Sequence, residues 1–483
     1  MVFASLLLVV SLAALVRVTL AAWSAHGPMS YNGADWLPVN YALETSRGAP
    51  PAAVYEELGT VTNRTVFVGI ASFRDAARCG KTLALLFERA RRPGGVFVGL
   101  VDQKADAEPR CVDEFCRLAP QLCAAHRAQV RETVVRSSDS KGPVFARAKQ
   151  TAMYGGEQFC LQIDAHSQFV ERWDDELVAE WLKVDNEYAV LSTYVHHIDR
   201  LPVNDQHDDV PYICKTKWGE GNMVRNEQAS SAIRLTRPKL TFTWGAGLSF
   251  SKCHAMQRVP YDPNLPQVFD GEEFSMAMRL FTNGYDIYTP GRNLVFHDYT
   301  PVPRHWSAED AASSAAMYAE KQRSWLRLRT LMRMPDASGE DLGAYGLGRC
   351  RSYESFVDFS GVDPRIGKAS NGERCGDMVR VPWLVPDCWP RETLPPRSSA
   401  AAAVAQKTRD RDDVIPLDDE EEDFGAAVSD ERRKAATAQR LRRRLKNINI
   451  FLFASLLCAS FLLWCCAGQS RPWRRSKDEF LSV

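Results

Sequence analysis

The sequence lacks the glycine-rich phosphate loops of two large nucleotide-binding classes, having no G-x-G-x-x-G and no G-x-x-x-x-G-K-[ST]. Both a dinucleotide-dependent enzyme and a P-loop ATPase are disfavoured by that absence. It also lacks net charge. Lysine plus arginine number 60, as do aspartate plus glutamate, so net charge gives no hint of nucleic acid. There is no C-x-x-C pair, which argues against a zinc ribbon. Of 13 cysteines, Cys458, Cys465 and Cys466 lie in or beside an apolar C-terminal run, and ten are dispersed. Ten dispersed cysteines, with the glycan acceptor sequence Asn63-Arg64-Thr65, fit an oxidising secretory lumen. Several are expected in disulfides, with Cys160, beside a buried strand, the one expected to stay a free thiol.

Long apolar runs occur only at the two ends. Val2 to Val16 is uncharged, Arg17 interrupts it, and Thr19-Leu20-Ala21-Ala22 supplies small residues, so residues 1–22 are expected to be a signal peptide or signal anchor. Residues 448–467 (INIFLFASLLCASFLLWCCA) have the length of a bilayer core and are expected to form a transmembrane helix. Basic residues before this span outnumber those after it, which by charge alone puts the upstream side in the cytosol. A cleaved signal puts it in the lumen. The expectation follows the signal: a Golgi or endoplasmic reticulum membrane protein with its main domain lumenal and a short basic tail, 468–483. Residues 23–62, rich in Gly, Pro, Ala and Ser, are expected to be an irregular stem, and 398–447, alanine-rich, then acidic, then basic, a charged disordered tether.

Between these ends the pattern is α/β. Thr65 to Phe73 is strongly β-prone, Leu83, Leu86, Phe87 and Ala90 repeat at helical spacing, and Val96 to Asp102 is again a strand. Strand, helix and strand in that order imply a parallel βαβ unit. Phe159 to Ile163 reads as a buried strand that breaks at Asp164-Ala165-His166. Ligands of open α/β sheets gather at carboxyl strand ends. There, residues two apart share a face and can share one divalent ion. The apolar run Asn293 to Phe296 ends similarly at His297. Ser72 and Arg74 close the first strand, and Asp102 closes the second as either a nucleotide contact or a cap. Trp244-Gly245-Ala246-Gly247 permits close backbone approach, and Asp270, Glu272 and Glu273 surround the start of a helix. His196-His197 are adjacent on a strand end, point to opposite faces, and are taken as loop residues.

Five segments in order, VGIASFRD, LQIDAH, WGAGLSFS, FDGEEFSMAMRLFTNGYDIYTP and VFHDY, resemble the polypeptide α-N-acetylglucosaminyltransferases, from about Thr65 to Tyr299. The resemblance implies a GT-A nucleotide-sugar (Rossmann-like) fold over 63–335, with 336–397 a cysteine-containing extension. It implies UDP-GlcNAc as donor, a protein threonine, serine or hydroxyproline hydroxyl as acceptor, and retention at the anomeric carbon. By the same likeness Asp164, His166 and His297 hold Mn²⁺. Asp270, Glu272 and Glu273 are the catalytic candidates, and Ser72, Arg74, Asp102, Arg147, Trp244, Gly245 and Gly247 the substrate-binding ones. A transferase using another UDP-hexose, a metal-dependent phosphoesterase, and a non-catalytic carbohydrate-binding membrane protein are the alternatives.

Overall fold

The β-prone run that opens the organised sequence becomes a central strand because both of its faces are covered. The computed structural model describes residues 27–45, 64–206, 209–301, 311–384 and 388. In chain order the strands are β1 (Met29–Tyr31), β2 (Trp36–Pro38), β3 (Val66–Phe73), β4 (Val96–Lys104), β5 (Val130–Arg136), β6 (Phe159–Asp164), β7 (Ser167–Phe169) and β8 (Ala189–Ser192). There follow β9 (Asp209–Tyr212), β10 (Thr216–Trp218), β11 (Val224–Asn226), β12 (Ser230–Ile233), β13 (Lys239–Thr241), β14 (Leu248–Lys252), β15 (Asp286–Thr289) and β16 (Val295–His297). The main sheet has eight strands in the order β13-β15-β8-β14-β6-β3-β4-β5.

The βαβ expectation holds at its centre: β3 is parallel to both β4 and β6, and β4 to β5. The sheet is nevertheless mixed, because β14 inserts antiparallel between β6 and β8. The helix Ala76–Glu88 returns the chain from β3 to β4, burying Leu83, Leu86 and Phe87. Three-residue β7 and β16 pair in a separate ribbon beyond the sheet edge. The strand expected from Asn293 to His297 is thus short and lies outside the main sheet.

Two expectations about the flanks need correction. Residues 29–38, placed in the irregular stem, form β1 and β2 and join β12 and β9 in a four-stranded sheet. Ser30 is buried there, and its hydroxyl donates to the Cys375 carbonyl at 2.6 Å. Strands of three residues carry too little periodicity to stand out from a Gly- and Pro-rich background. The segment from 336 onward is an integral part of the domain. Phe356, on the helix Tyr353–Ser360, packs its ring 5.5 Å from Phe274 and 5.3 Å from Phe281 of the helix Glu272–Thr282. Arg351, fully buried, pairs with Asp286 at 2.8 Å.

All ten dispersed cysteines are paired: Cys79–Cys111, Cys116–Cys123, Cys160–Cys253, Cys214–Cys375 and Cys350–Cys388. Cys160 is therefore not a free thiol. The antiparallel register of β6 with β14 carries its partner Cys253 alongside, a pairing that spacing along the chain does not reveal. No described helix is long and apolar enough to cross a membrane. The expected signal at 1–22, the acceptor Asn63, the tether at 398–447, the span at 448–467 and the tail at 468–483 lie outside the described residues.

Candidate active site

Strand β6 ends at Asp164, level with Ala71 of β3, and a tight turn carries Ala165 and His166 into β7. In the β7–β16 ribbon Ser167 faces His297, which returns a histidine from far along the chain to the same spot. One ligand atom from each of Asp164, His166 and His297 lies within 4.8 Å of the others. The two imidazoles meet edge to face with centroids 4.3 Å apart, and His297 Nε2 is 3.3 Å from Asp164 Oδ2. A carboxylate with two imidazoles is a donor set that suits a divalent transition ion. His297 Nδ1 is also buried with no hydrogen-bond partner among the described residues.

The environment keeps this cluster ready for a cation. Burial alone would raise the Asp164 carboxyl, but the His297 hydrogen bond and the Arg147 guanidinium outweigh it. Asp164 is held well below the ordinary carboxylate range. Arg147, on the helix Pro143–Gln150, is the organising cation. It donates to Asp164 Oδ1 at 3.0 Å and to Glu272 Oε1 at 2.5 Å. Tyr261 also donates to Glu272 Oε1, at 3.0 Å. Gly247 approaches closely for a steric reason, since a Cβ there would sit 3.1 Å from Asp164 Oδ2.

The cluster opens into a cleft of about 1200 Å³ whose walls include Arg147, Tyr194, Gly247, Asp270, Glu272 and Glu273. Glu273 accepts from the Ala246 backbone N–H at 2.9 Å, from Asn226 Nδ2 at 3.1 Å and from the Tyr194 hydroxyl. Burial outweighs these donors and pushes its carboxyl up to about 7. Asp270 is committed to the loop, accepting from the Glu220 N–H at 2.7 Å and pairing with Arg225 at 3.3 Å.

Other expected contacts do not reach the cleft wall. Asp102 caps a helix, accepting from the Cys111 N–H at 2.8 Å. Arg74 pairs with Glu108 at 2.8 Å, and Ser72 is buried within the sheet. Trp244 is buried with its indole N–H on Ser249. Gly245 packs against Thr193, where a Cβ would lie 3.0 Å from the main chain. Their strand-end positions are as expected, but their side chains or backbones serve the protein's own packing. Conversely, His196 and His197, taken as loop residues, both line the cleft. Tyr299 lines the cleft as well. Its half-exposed ring sits 4.0 Å from that of His297, and only its place two residues after a ligand histidine could have flagged it.

The family model Glycosyltransferase (GlcNAc) matches residues 65–124 and 113–366, more than half of the chain. No curated protein sequence matches it. Among solved structures, the crystal structure of GalNAc-T7 with UDP, GalNAc and Mn²⁺ is similar at 14% identity and a TM-score of 0.40, over 62% of this chain and 55% of that one. Residues 1–349 of S. aureus TarS, in complex with UDP-GlcNAc, are similar at 11% identity and a TM-score of 0.33, over 55% of this chain and 70% of that one. The mannosyltransferase PcManGT from Pyrobaculum calidifontis, with GDP-Man and Mn²⁺, is similar at 13% identity and a TM-score of 0.32, over 58% and 76% of the two chains. The match therefore spans just over half the length of the first of these proteins.

Proposed function

As the chain belongs to the glycosyltransferase (GlcNAc) family, we propose that it moves N-acetylglucosamine from UDP-GlcNAc to a threonine, serine or hydroxyproline hydroxyl of a protein acceptor. The observation that carries this reading is the convergence of Asp164, His166 and His297 within 4.8 Å at the floor of the cleft. These three residues would hold one divalent cation, Mn²⁺ in our reading, whose chemistry is to stabilise charge developing on a departing diphosphate. Arg147 holds the Asp164 carboxylate in place through one arm and ties it to the helix that carries Glu273 through Glu272. Glu273, near neutrality and facing the cleft, is suited to hydrogen-bond a sugar amide or hydroxyl. No side chain is assigned as a covalent nucleophile. Retention then follows a same-face path, in which the sugar–phosphate bond breaks, the acceptor oxygen bonds to the anomeric carbon, and the departing phosphate oxygen takes the acceptor's proton.

Two measurements test this. UDP-sugar hydrolysis and peptide transfer, across a donor panel with and without Mn²⁺, should favour UDP-GlcNAc and require the metal. Preference for another UDP-hexose would overturn the donor, and phosphomonoester hydrolysis alone would overturn the class. Asp164→Asn keeps the side chain's shape but removes a charged ligand. Its transfer rate should fall about a thousandfold, or about 4 kcal/mol of barrier, in a folded protein. A near-normal rate would remove the site assignment.

We further propose that the domain is lumenal and held by the span at 448–467. Five disulfides support an oxidising compartment. Protease added to sealed microsomes should then remove only the tail after Gly468 and leave a glycan on Asn63. Digestion of the whole domain would reverse the topology.

A further inference from the structure

We infer that one face of the helix Ala76–Glu88, presenting Arg78 and Thr82, together with Asp75 just before it, is the device that positions both histidines of the metal cluster. The inference rests on the metal-site reading above. None of the three residues lines the cleft, so they act through others and are positioning residues.

Asp75 Oδ2 lies 3.0 Å from His166 Nδ1. A carboxylate has no proton to give, so Nδ1 donates and the lone pair is left on Nε2. Carboxylate–histidine pairs of this kind fix ring orientation and tautomer at metal centres. Asp75 is itself fixed: Arg78 Nε is 2.9 Å from each of its oxygens, and Arg78 Nη2 is 2.7 Å from Oδ2. The same guanidinium uses Nη1 to donate to the carbonyls of Asp298 and Thr300, at 3.2 and 3.1 Å. Those carbonyls lie one and three residues after His297. One turn along the helix, on the same face, the Thr82 hydroxyl is 2.9 Å from the carbonyls of both Ala165 and Ser167, the residues either side of His166. The Asp298 N–H donates to the His166 carbonyl at 2.9 Å and closes the circuit.

One arginine thus ties the segment after His297 to the carboxylate that orients His166. Its planar fork serves both at once, whereas a lysine ammonium is a single point and can serve one. The helix is anchored at the next residue by Cys79–Cys111, so the clamp is referred to a rigid part of the domain.

The test is Mn²⁺ binding by the purified full-length chain, measured from the EPR signal of free Mn²⁺, with thermal midpoints recorded in parallel without metal. Asp75→Asn, Arg78→Ala and Arg78→Lys should each weaken Mn²⁺ binding by about ten- to a hundredfold while shifting the metal-free midpoint by only a few degrees. Arg136→Ala, which breaks an exposed pair with Asp139, should bind as wild type. Wild-type affinity in folded Asp75→Asn and Arg78→Lys would overturn the positioning role and leave the cluster intact. If Arg78→Ala fails to fold, Arg78→Lys, which keeps the charge, decides. A wild-type chain with no stoichiometric Mn²⁺ site, or one indifferent to Asp164→Asn, would overturn the metal reading and this inference with it.

Discussion

Glu273 shows how a single side chain can be read from its surroundings. The ordinary carboxyl value is 4.5, and burial raises that of Glu273 to about 7 despite three donors. The folded state therefore keeps a proton that the unfolded chain releases near 4.5. Between about 4.5 and about 7 the folded state binds more protons, so this residue's contribution to stability declines as pH rises and levels off above about 7. Glu44, buried beside Lys239 and also raised to about 7 by burial, adds a slope of the same sign. Glu273→Gln removes one of the two slopes. Against metal-free wild type, the variant should gain relative stability steadily from pH 4.5 to 7 in denaturant titrations. Parallel curves for the two proteins would mean that Glu273 binds its proton alike in the folded and unfolded chains. Pairings at this scale were mostly hidden in the sequence. Asp164 and His166 share a strand end and were legible together. Arg147 to Glu272 and Asp75 to His166 bridge segments that only the folded sheet brings together, and no local pattern records them.

At the scale of elements, legibility followed length and repetition. The runs in β3, β4 and β6, and the helices Ala76–Glu88 and Glu272–Thr282, are long enough for apolar periodicity to declare them. β1, β2, β7 and β16 have three residues each, and their partners, not their composition, make them strands. The role of the segment after 336 is hidden in the sequence for a related reason. Its apolar residues look sparse until the face they cover is known. The helix Glu272–Thr282 is buried along nearly its whole length, and part of that cover comes from Phe356, fully buried against Phe274 and Phe281. Phe356→Ala should cost about 3–5 kcal/mol in chemical denaturation, as for other large core truncations. It should also lower transfer activity, because the same helix presents Glu272 and Glu273 to the cleft. A loss under about 1 kcal/mol would mean that the segment rests on the domain without supporting it.

For the whole molecule, the disulfides set how much the unfolded chain is constrained. A crosslink stabilises chiefly by restricting the unfolded state, in proportion to the logarithm of the loop it closes. Cys214–Cys375 spans 161 residues and Cys116–Cys123 only 7. Taken singly, loop entropy assigns about 5 kcal/mol to the first and about 2 kcal/mol to the second. Packing adds to the difference. Cys214 and Cys375 are both buried in a small cluster with Val210, Tyr212 and Ala232, which ties the segment after 336 to the four-stranded sheet beside the cleft. Cys116–Cys123 joins two consecutive short helices that contact each other regardless. Double alanine replacement of Cys214 and Cys375 should therefore destabilise the chain by about 2–3 kcal/mol more than that of Cys116 and Cys123. Equilibrium unfolding of the two oxidised variants makes the comparison. Equal losses would mean that the unfolded chain is already confined by the remaining crosslinks, so that loop length no longer distinguishes one disulfide from another.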